Sequence, residues 1–356
     1  MRIKLVVFFV LILNIITNAN AIDDTNSSNN IMLQLPPLSE ENVTTNEVFD
    51  NSDEYQMDIA VFLNKKKFFK FIPNILNSMN AYMIKKDINY HIKLFNLDEN
   101  LSSRLDEIST KYKYIFLYST SSKDINLTKD YPENYFFIPT LNKNQVNDLN
   151  ISDNIYFGGI NYKKQINQLN QFVTDKTEVI YDNRSNLSKY ITQIVNDQIL
   201  EYPVKTISYP IYVNYKEFND SYVYLNTPSI DSVQVLSNFT YHDVETKSIL
   251  STQLNYSPIL FLLTNSEDTQ DVILANSIFN IDSIIEDNNI NLDSNIDFNW
   301  LNYTTSTLLN VAYNIETQKD DIHYLNDFDL YMFFNQVEYK INLYRIFQNG
   351  FIKIEN

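Results

Sequence analysis

From Met57 onward, short apolar runs alternate with stretches in which apolar residues return every three or four positions. Asp58–Leu63 is the first run. Phe68, Phe71, Ile72, Ile75, Leu76, Met79, Tyr82 and Met83 follow at the spacing of one helix face, and Pro73 starts or kinks that helix. His91–Phe95 reads as a strand, and Leu101, Leu105, Ile108 and Tyr112 as a helical stripe. Tyr114–Tyr118 reads as a buried strand ending in Ser119-Thr120-Ser121-Ser122. Strands at Tyr135–Ile138 and Ile155–Phe157 come next, the second ending in Gly158-Gly159. A helix over 162–173, a strand at Glu178–Tyr181 and a stripe from Leu187 to Ile199 follow, then strands at 204–209 and 221–225 and a helix over 229–239. Strands alternating with amphipathic helices specify βαβ units and a mostly parallel sheet, and their number predicts two such sheets. The end of the chain departs from this rhythm. Residues 300–315 and 327–334 read as helical, and apolar runs flank Asn349-Gly350, a pair suited to the positive φ angles of a tight hairpin.

The first 56 residues differ again. Arg2 and Lys4 precede the apolar run Leu5–Leu13, which leads to Ala19-Asn20-Ala21. That is the order of a secretory signal peptide, with cleavage expected after Ala21 and the mature chain expected in the periplasm. An uncleaved anchor fits less well, because the run is short for about 30 Å of hydrocarbon and Asn14 interrupts it. No later segment has 18 consecutive apolar residues. Residues 22–56 hold eight acids and no base, so they read as an acidic disordered tether with too little apolar area to offset its ordering entropy. Within it, Ile31–Leu35 reads either as a docking motif or as a loosely packed strand.

Composition narrows the chemistry. Forty-four acids against 27 bases give a net charge of -17, which repels phosphate backbones and argues against nucleic acid as a partner. With no cysteine there are no disulfides, thiolate metal sites, cysteine nucleophile or lipid-modified cysteine. The histidines, His91, His242 and His323, are scattered, and the Gly-x-Ser-x-Gly, His-Glu-x-x-His and glycine-rich phosphate motifs are missing. No enzyme activity, cofactor or metal is therefore expected. The acidic residues of 282–297 lack the turn glycine of a calcium loop and read as a solvated loop. Six Asn-x-Ser/Thr acceptors carry Asp or Glu two residues earlier, at Asn26, Asn42, Asn100, Asn126, Asn150 and Asn219, and are candidates for bacterial N-glycosylation.

Several stretches carry a resemblance. Asp58–Leu63 with the aromatic-rich helix after it, Ile138-Pro139-Thr140, Tyr156–Gln165 and the closing Tyr344–Phe351 resemble the type 1 periplasmic-binding fold. The resemblance covers roughly residues 57–356 and implies an α/β protein of two lobes. Each lobe has a mostly parallel sheet flanked by helices, with a closing C-terminal β-hairpin. On that frame the first lobe is mainly 57–150, the second mainly 151–330, and the hairpin 336–354. Ligands of such folds sit where strand C-terminal ends face the crevice. The loops there would be Asn64, Ser119–Ser122, Pro139-Thr140, Gly158–Asn161, Asp182–Arg184 and Asn226-Thr227.

Ser119, Thr120 and Ser121 on one lobe, Gly158, Gly159, Asn161 and Tyr162 at the crossing, and Arg184 beyond it are the candidate binding residues. Gly158-Gly159 would expose backbone amides, Asn161 and Tyr162 would add a polar and an aromatic contact, and Arg184 could hold a carboxylate. The alternative is that these residues cap helices and make turns. With three glycines and six alanines, the chain departs from the Gly- and Ala-rich composition of that fold's members. It also has no counterpart of the Ser/Thr-plus-Asp set that grips an amino acid's charged ends. These departures favour a non-enzymatic exported protein that docks envelope proteins or cell-wall components. The alternative is a solute-binding protein for a small polar ligand that feeds a transporter or sensor.

Overall fold

The computed structural model describes residues 56–98, 100–146, 151–319, 321–347 and 350–355. The signal peptide, the tether, the Ile31–Leu35 patch and the acceptors Asn26, Asn42 and Asn150 lie outside them.

The chain begins with β1 (Gln56–Leu63), α1 (Lys65–Phe68), α2 (Ile72–Lys86), β2 (Asn89–Asn96), α3 (Leu101–Ile108) and β3 (Tyr114–Tyr118). α4 (Ser122–Leu127), β4 (Tyr135–Ile138) and β5 (Ile155–Phe157) complete the first parallel set. The second set is α5 (Tyr162–Asn170), β6 (Thr177–Asp182), α6 (Asn186–Gln198), β7 (Val204–Tyr209), β8 (Tyr222–Asn226), α7 (Ser229–Tyr241), β9 (Ser248–Ser251), α8 (Pro258–Leu263), α9 (Ser266–Thr269) and β10 (Val272–Asn276). After α10 (Ser283–Asn291) and α11 (Trp300–Glu316), the chain returns to the first sheet as β11 (Tyr324–Leu325), β12 (Leu330–Phe333) and β13 (Gln336–Glu338). It then enters the second sheet as β14 (Asn342–Phe347) and β15 (Gly350–Lys353). The first sheet has the order β11-β12-β13-β5-β4-β3-β1-β2 and the second β15-β14-β10-β9-β8-β6-β7. The central strands are parallel, and antiparallel strands sit at one end of each sheet. The expected two-sheet α/β architecture is therefore present.

Three local readings differ. β5 pairs with β4, so the first sheet continues past residue 150, and it gains Tyr324–Glu338 as well. Residues 330–333 form a strand, because Leu330 and Met332 turn inward while Tyr331 and Phe333 turn out, a period of two. The closing hairpin is β14 with β15, and Gly350 pairs with Phe347 as a strand residue without a positive φ. Strands β9 and β10 also went unread in the sequence.

Burial on both faces explains why the strands read as unbroken apolar runs. In β1, Met57, Ile59, Val61 and Leu63 face one core while Ala60 and Phe62 face another. In the second sheet Val179, Tyr224, Leu250 and Ile273 join the core that holds Ile59 and Val61, and Ile180, Val223, Ile249 and Val272 face away from it. One apolar core therefore runs continuously from the first sheet to the second.

The chain passes between the sheets three times, after β5, after β10 and between β13 and β14, and α11 touches all three passages. Leu308 lies where a Cβ on Gly158 would be, 2.8 Å from its Cδ1. The Tyr303 hydroxyl donates to the Phe279 carbonyl at 2.7 Å. The Thr307 hydroxyl is 3.0 Å from that of Tyr339, which donates to the Gly158 carbonyl at 2.7 Å. α11 is buried almost all round, Thr304–Thr307 included. Their hydroxyls are satisfied locally: Thr305 and Thr307 donate to carbonyls one turn back at 2.7 and 2.9 Å, and Ser306 meets Ser78 of α2 at 3.0 Å. A second tie holds α2. Asp327 accepts from the Lys85 ammonium at 2.6 Å and the Tyr82 hydroxyl at 2.9 Å, with Lys86 at 2.6 Å. Burial pushes the Asp327 carboxyl up, but the two ammonium groups outweigh it and hold the pKa below its ordinary value.

Two substitutions test this packing. A Cβ on Gly159 would lie 2.1 Å from the Leu141 carbonyl carbon, so Gly159→Ala is expected to lose about 3 kcal/mol or more in denaturant unfolding. Asp327→Asn leaves Lys86 buried without its carboxylate and is expected to cost about 3 kcal/mol. A wild-type unfolding midpoint in either variant would contradict the corresponding contact.

Candidate functional site

The loops after β1, β2 and β3 gather around a cavity of about 310 Å³ at the C-terminal ends of the first sheet's strands. Asn64, Ser119, Thr120 and Ser121 line it, as do Lys67 and Lys123. These residues also organise the loops. The Asn64 side chain caps α1 by accepting from the Lys67 amide at 2.9 Å. Ser121 caps α4. Buried Ser119 donates to Asp124 at 2.5 Å, and its Oγ accepts from the Ser121 amide at 2.9 Å. The Thr140 hydroxyl donates to the Ser119 carbonyl. Thr120 is exposed and accepts from the Lys67 ammonium at 3.3 Å.

The other candidates are not brought to this cavity. The Gly158 and Gly159 amides donate to the carbonyls of Ile138 and Leu141, both at 3.0 Å. Their own carbonyls accept from Tyr339 and from the Asn142 amide. The expectation of exposed amides is not met here. The glycines are required because Leu308 and the Leu141 backbone approach too closely for a Cβ. Asn161 caps α5 by accepting from the Lys164 amide at 3.0 Å. Tyr162 is buried, its hydroxyl has no partner, and burial pushes its phenol well up.

Arg184 stands at the end of β6 with its guanidinium on Asp182 at 2.9 and 3.3 Å and on Asp231 at 3.7 Å. Its hydrogen bond to Asp182 holds that carboxyl below its ordinary value, so the arginine already has a carboxylate partner. The other strand ends of the second sheet carry buried side-chain amides that are only partly satisfied, with Asn226 Oδ1, Gln253 Nε2 and Asn255 Oδ1 lacking hydrogen-bond partners. Asn226 donates to Thr192 at 3.0 Å and Asn255 to the Leu225 carbonyl at 3.1 Å. Gln165, the glutamine near the start of α5, donates to Gln253 at 3.1 Å and Ser277 at 2.7 Å, linking α5 to the ends of β9 and β10. Asn226, Gln253 and Asn255 are all buried.

A second cavity of about 370 Å³ lies between α10 and the turn that follows it, lined by Asn74, Glu286, Ile290, Asp293 and Asp297. Here 282–297 is a helix and a turn in place of the expected loop. Burial, together with the neighbouring Glu286 carboxylate, raises the Asp297 carboxyl to about 6. Its folded pKa lies above the ordinary 3.8, so the folded state binds the proton more tightly. The stability this contributes is full below that ordinary pKa and is lost as pH rises through about 6. Asp297→Asn should therefore raise the melting temperature at pH 7 relative to wild type, and the difference should shrink as pH falls through about 6 and vanish below the ordinary pKa of 3.8. An equal difference at both ends of that range would contradict this assignment.

No family model matches the chain, and no curated protein matches it by sequence. Solved structures do match by fold. A branched-chain amino acid ABC transporter protein from Thermus thermophilus, with bound valine, aligns at a TM-score of 0.62 and 8% identity, over 85% of this chain and 96% of that one. The substrate-binding protein LivJ from Streptococcus pneumoniae, in complex with isoleucine, aligns at 0.56 and 9%, over 84% and 100%. The C-domain of LpoA from Haemophilus influenzae, a regulator of PBP1A, aligns at 0.55 and 11%, over 85% and 100%. At these identities the shared property is the fold, that of the type 1 periplasmic binding proteins. Of these three structures, two hold a branched-chain amino acid and one is a regulator of PBP1A.

Proposed function

We propose that this chain is an exported, non-enzymatic binding protein of the cell envelope that docks an envelope protein or cell-wall component. The observation that supports docking over solute capture is the state of the polar groups at the strand ends. In the second lobe Asn226 is bonded to Thr192 and Gln165 to Gln253 and Ser277, leaving the Asn226 and Asn255 side-chain oxygens and the Gln253 side-chain nitrogen buried without partners; Arg184 is held by Asp182, and the crossing amides are spent within the backbone. The continuous core and the three passages held by α11 favour a platform of fixed shape over a closing trap. The LpoA C-domain offers a regulator of a partner protein built on a similar fold. Among the described residues no helix is long and apolar enough to cross a membrane. Export rests on residues 1–21, and the mature protein is expected to begin at Ile22 by N-terminal sequencing.

Capture of a small polar solute is the second reading. It draws on the first-lobe cavity, whose volume of about 310 Å³ is at the lower end of ligand sites, and on similar structures that hold valine and isoleucine. A thermal-shift screen with amino acids, peptides, sugars and wall fragments separates the two. A ligand at 100 times its Kd adds about 2.7 kcal/mol, a plain rise in melting temperature. The docking reading expects no rise with amino acids or simple sugars, together with saturable capture of an envelope component by the purified protein. A concentration-dependent rise with one small solute would overturn it.

A further inference from the structure

The segment Lys65-Lys66-Lys67-Phe68-Phe69-Lys70-Phe71 sets four lysines and three phenylalanines side by side in a chain whose net charge is -17. Its Lys67 and Phe68 line the first-lobe cavity, the other five residues lie beside it, and the segment is held from beneath. Phe68 is buried, with its ring edge-on to Tyr118 at 6.2 Å. The Lys65 amide donates to the Asn96 side chain at 3.0 Å, and Asn64 caps the turn. With the segment anchored at these points, Phe69 remains 70% exposed and Phe71 47% exposed. Lys65, Lys66, Lys67 and Lys70 are all exposed, and among the described residues none lies within 4.0 Å of a carboxylate. The nearby acids are otherwise engaged: Asp98 accepts from Asn96 and the Asn100 amide, and Asp124 accepts from Ser119. Lys123 adds a further cation on the same cavity.

We propose that this lysine–phenylalanine rim is the docking surface and that its partner is an acidic polypeptide segment with apolar side chains between its carboxylates. The assignment rests on the docking reading above and names the partner's chemistry. Unpaired lysines steer and orient a segment of opposite charge, and exposed aromatic rings beside them supply the apolar anchor on which binding energy concentrates. The surrounding negative potential repels acidic polymers elsewhere on the molecule, which confines them to this patch. A bilayer of anionic lipid is the poorer occupant. Lys67 and Lys123 line a concavity, which a narrow peptide chain can enter and a flat bilayer surface cannot.

The test is fluorescence anisotropy of a labelled (Glu-Glu-Phe)4 peptide titrated with the protein at low ionic strength. Saturable binding that weakens with added salt is expected. Lys65→Glu/Lys66→Glu/Lys70→Glu and Phe69→Ser/Phe71→Ser should each weaken it about tenfold. Both leave the melting temperature unchanged, because the altered side chains are exposed. Arg184→Ala, on the other lobe, should bind as wild type. Absence of saturable binding, or equal binding by the rim variants, overturns the proposal, as does sedimentation with phosphatidylglycerol vesicles in place of peptide binding. The two readings fail separately. If the rim variants still capture an envelope component, the rim is wrong and docking stands. If a small solute raises the melting temperature, docking itself fails.

Discussion

The packing of α11 against the three interlobe passages is the constraint on which the rest of the structure depends. In a helix buried on nearly every side each polar group carries a desolvation cost; α11 keeps its one charge, Glu316, at its C-terminal end on Lys113, and most of its hydroxyls find partners within reach. Thr305 and Thr307 do so by turning their hydroxyls onto the helix's own carbonyls, which frees the surface for close contact. Gly158 completes the fit, because Leu308 occupies the space that any larger residue would need. Tyr303 and Tyr339 bond the remaining two passages to the same helix and its surroundings. Cores transmit displacement because they are packed as densely as crystals. A relative motion of the lobes would therefore have to break several of these contacts together.

The consequences reach the crevice. Each polar group spent on holding a passage or a strand end is withdrawn from ligand binding, as with Gln165, whose amide bonds Gln253 and Ser277 and whose oxygen accepts from the Gln253 backbone. What the first lobe leaves available includes the segment 65–71, whose lysines lie, among the described residues, beyond 4.0 Å of any carboxylate and beside exposed Phe69 and Phe71. An acidic protein with one basic, aromatic edge is polarised, and such a molecule meets an oppositely charged partner in a preferred orientation.

Much of the fold is legible in the sequence because parallel strands buried on both faces write themselves as apolar runs, as at Ile59–Leu63 and Tyr114–Tyr118. The misread elements have physical reasons. Tyr331 and Phe333 point to solvent yet are as apolar as Leu330 and Met332, so the alternation of β12 is hidden. β9 shows only Ile249-Leu250 between serines, too little to mark an apolar run, whereas Val272–Ala275 of β10 is an apolar run that went unread. Of the candidate residues, Ser119–Ser121 line a cavity, because a polar cluster that ends a buried central strand sits where the chain leaves the sheet. Gly158-Gly159 reads as an exposed turn because a sequence does not reveal which neighbour approaches. Here that neighbour is Leu141, 18 residues earlier for Gly159, and a helix from the far end of the chain for Gly158. The lysines of 65–70 went unread, because Phe68 and Phe71 fall at the spacing of one helix face and draw the segment into a helical stripe.

The fixed relation of the two lobes is measured most directly by the distance between spin labels placed on them. The chain has no cysteine, so Asn126→Cys on α4 and Lys189→Cys on α6, both exposed, provide unique attachment points. Pulsed dipolar spectroscopy should give one narrow distance distribution that is unchanged by a mixture of amino acids and sugars. A broad or two-peaked distribution that collapses to a shorter distance when a solute is added would contradict the account.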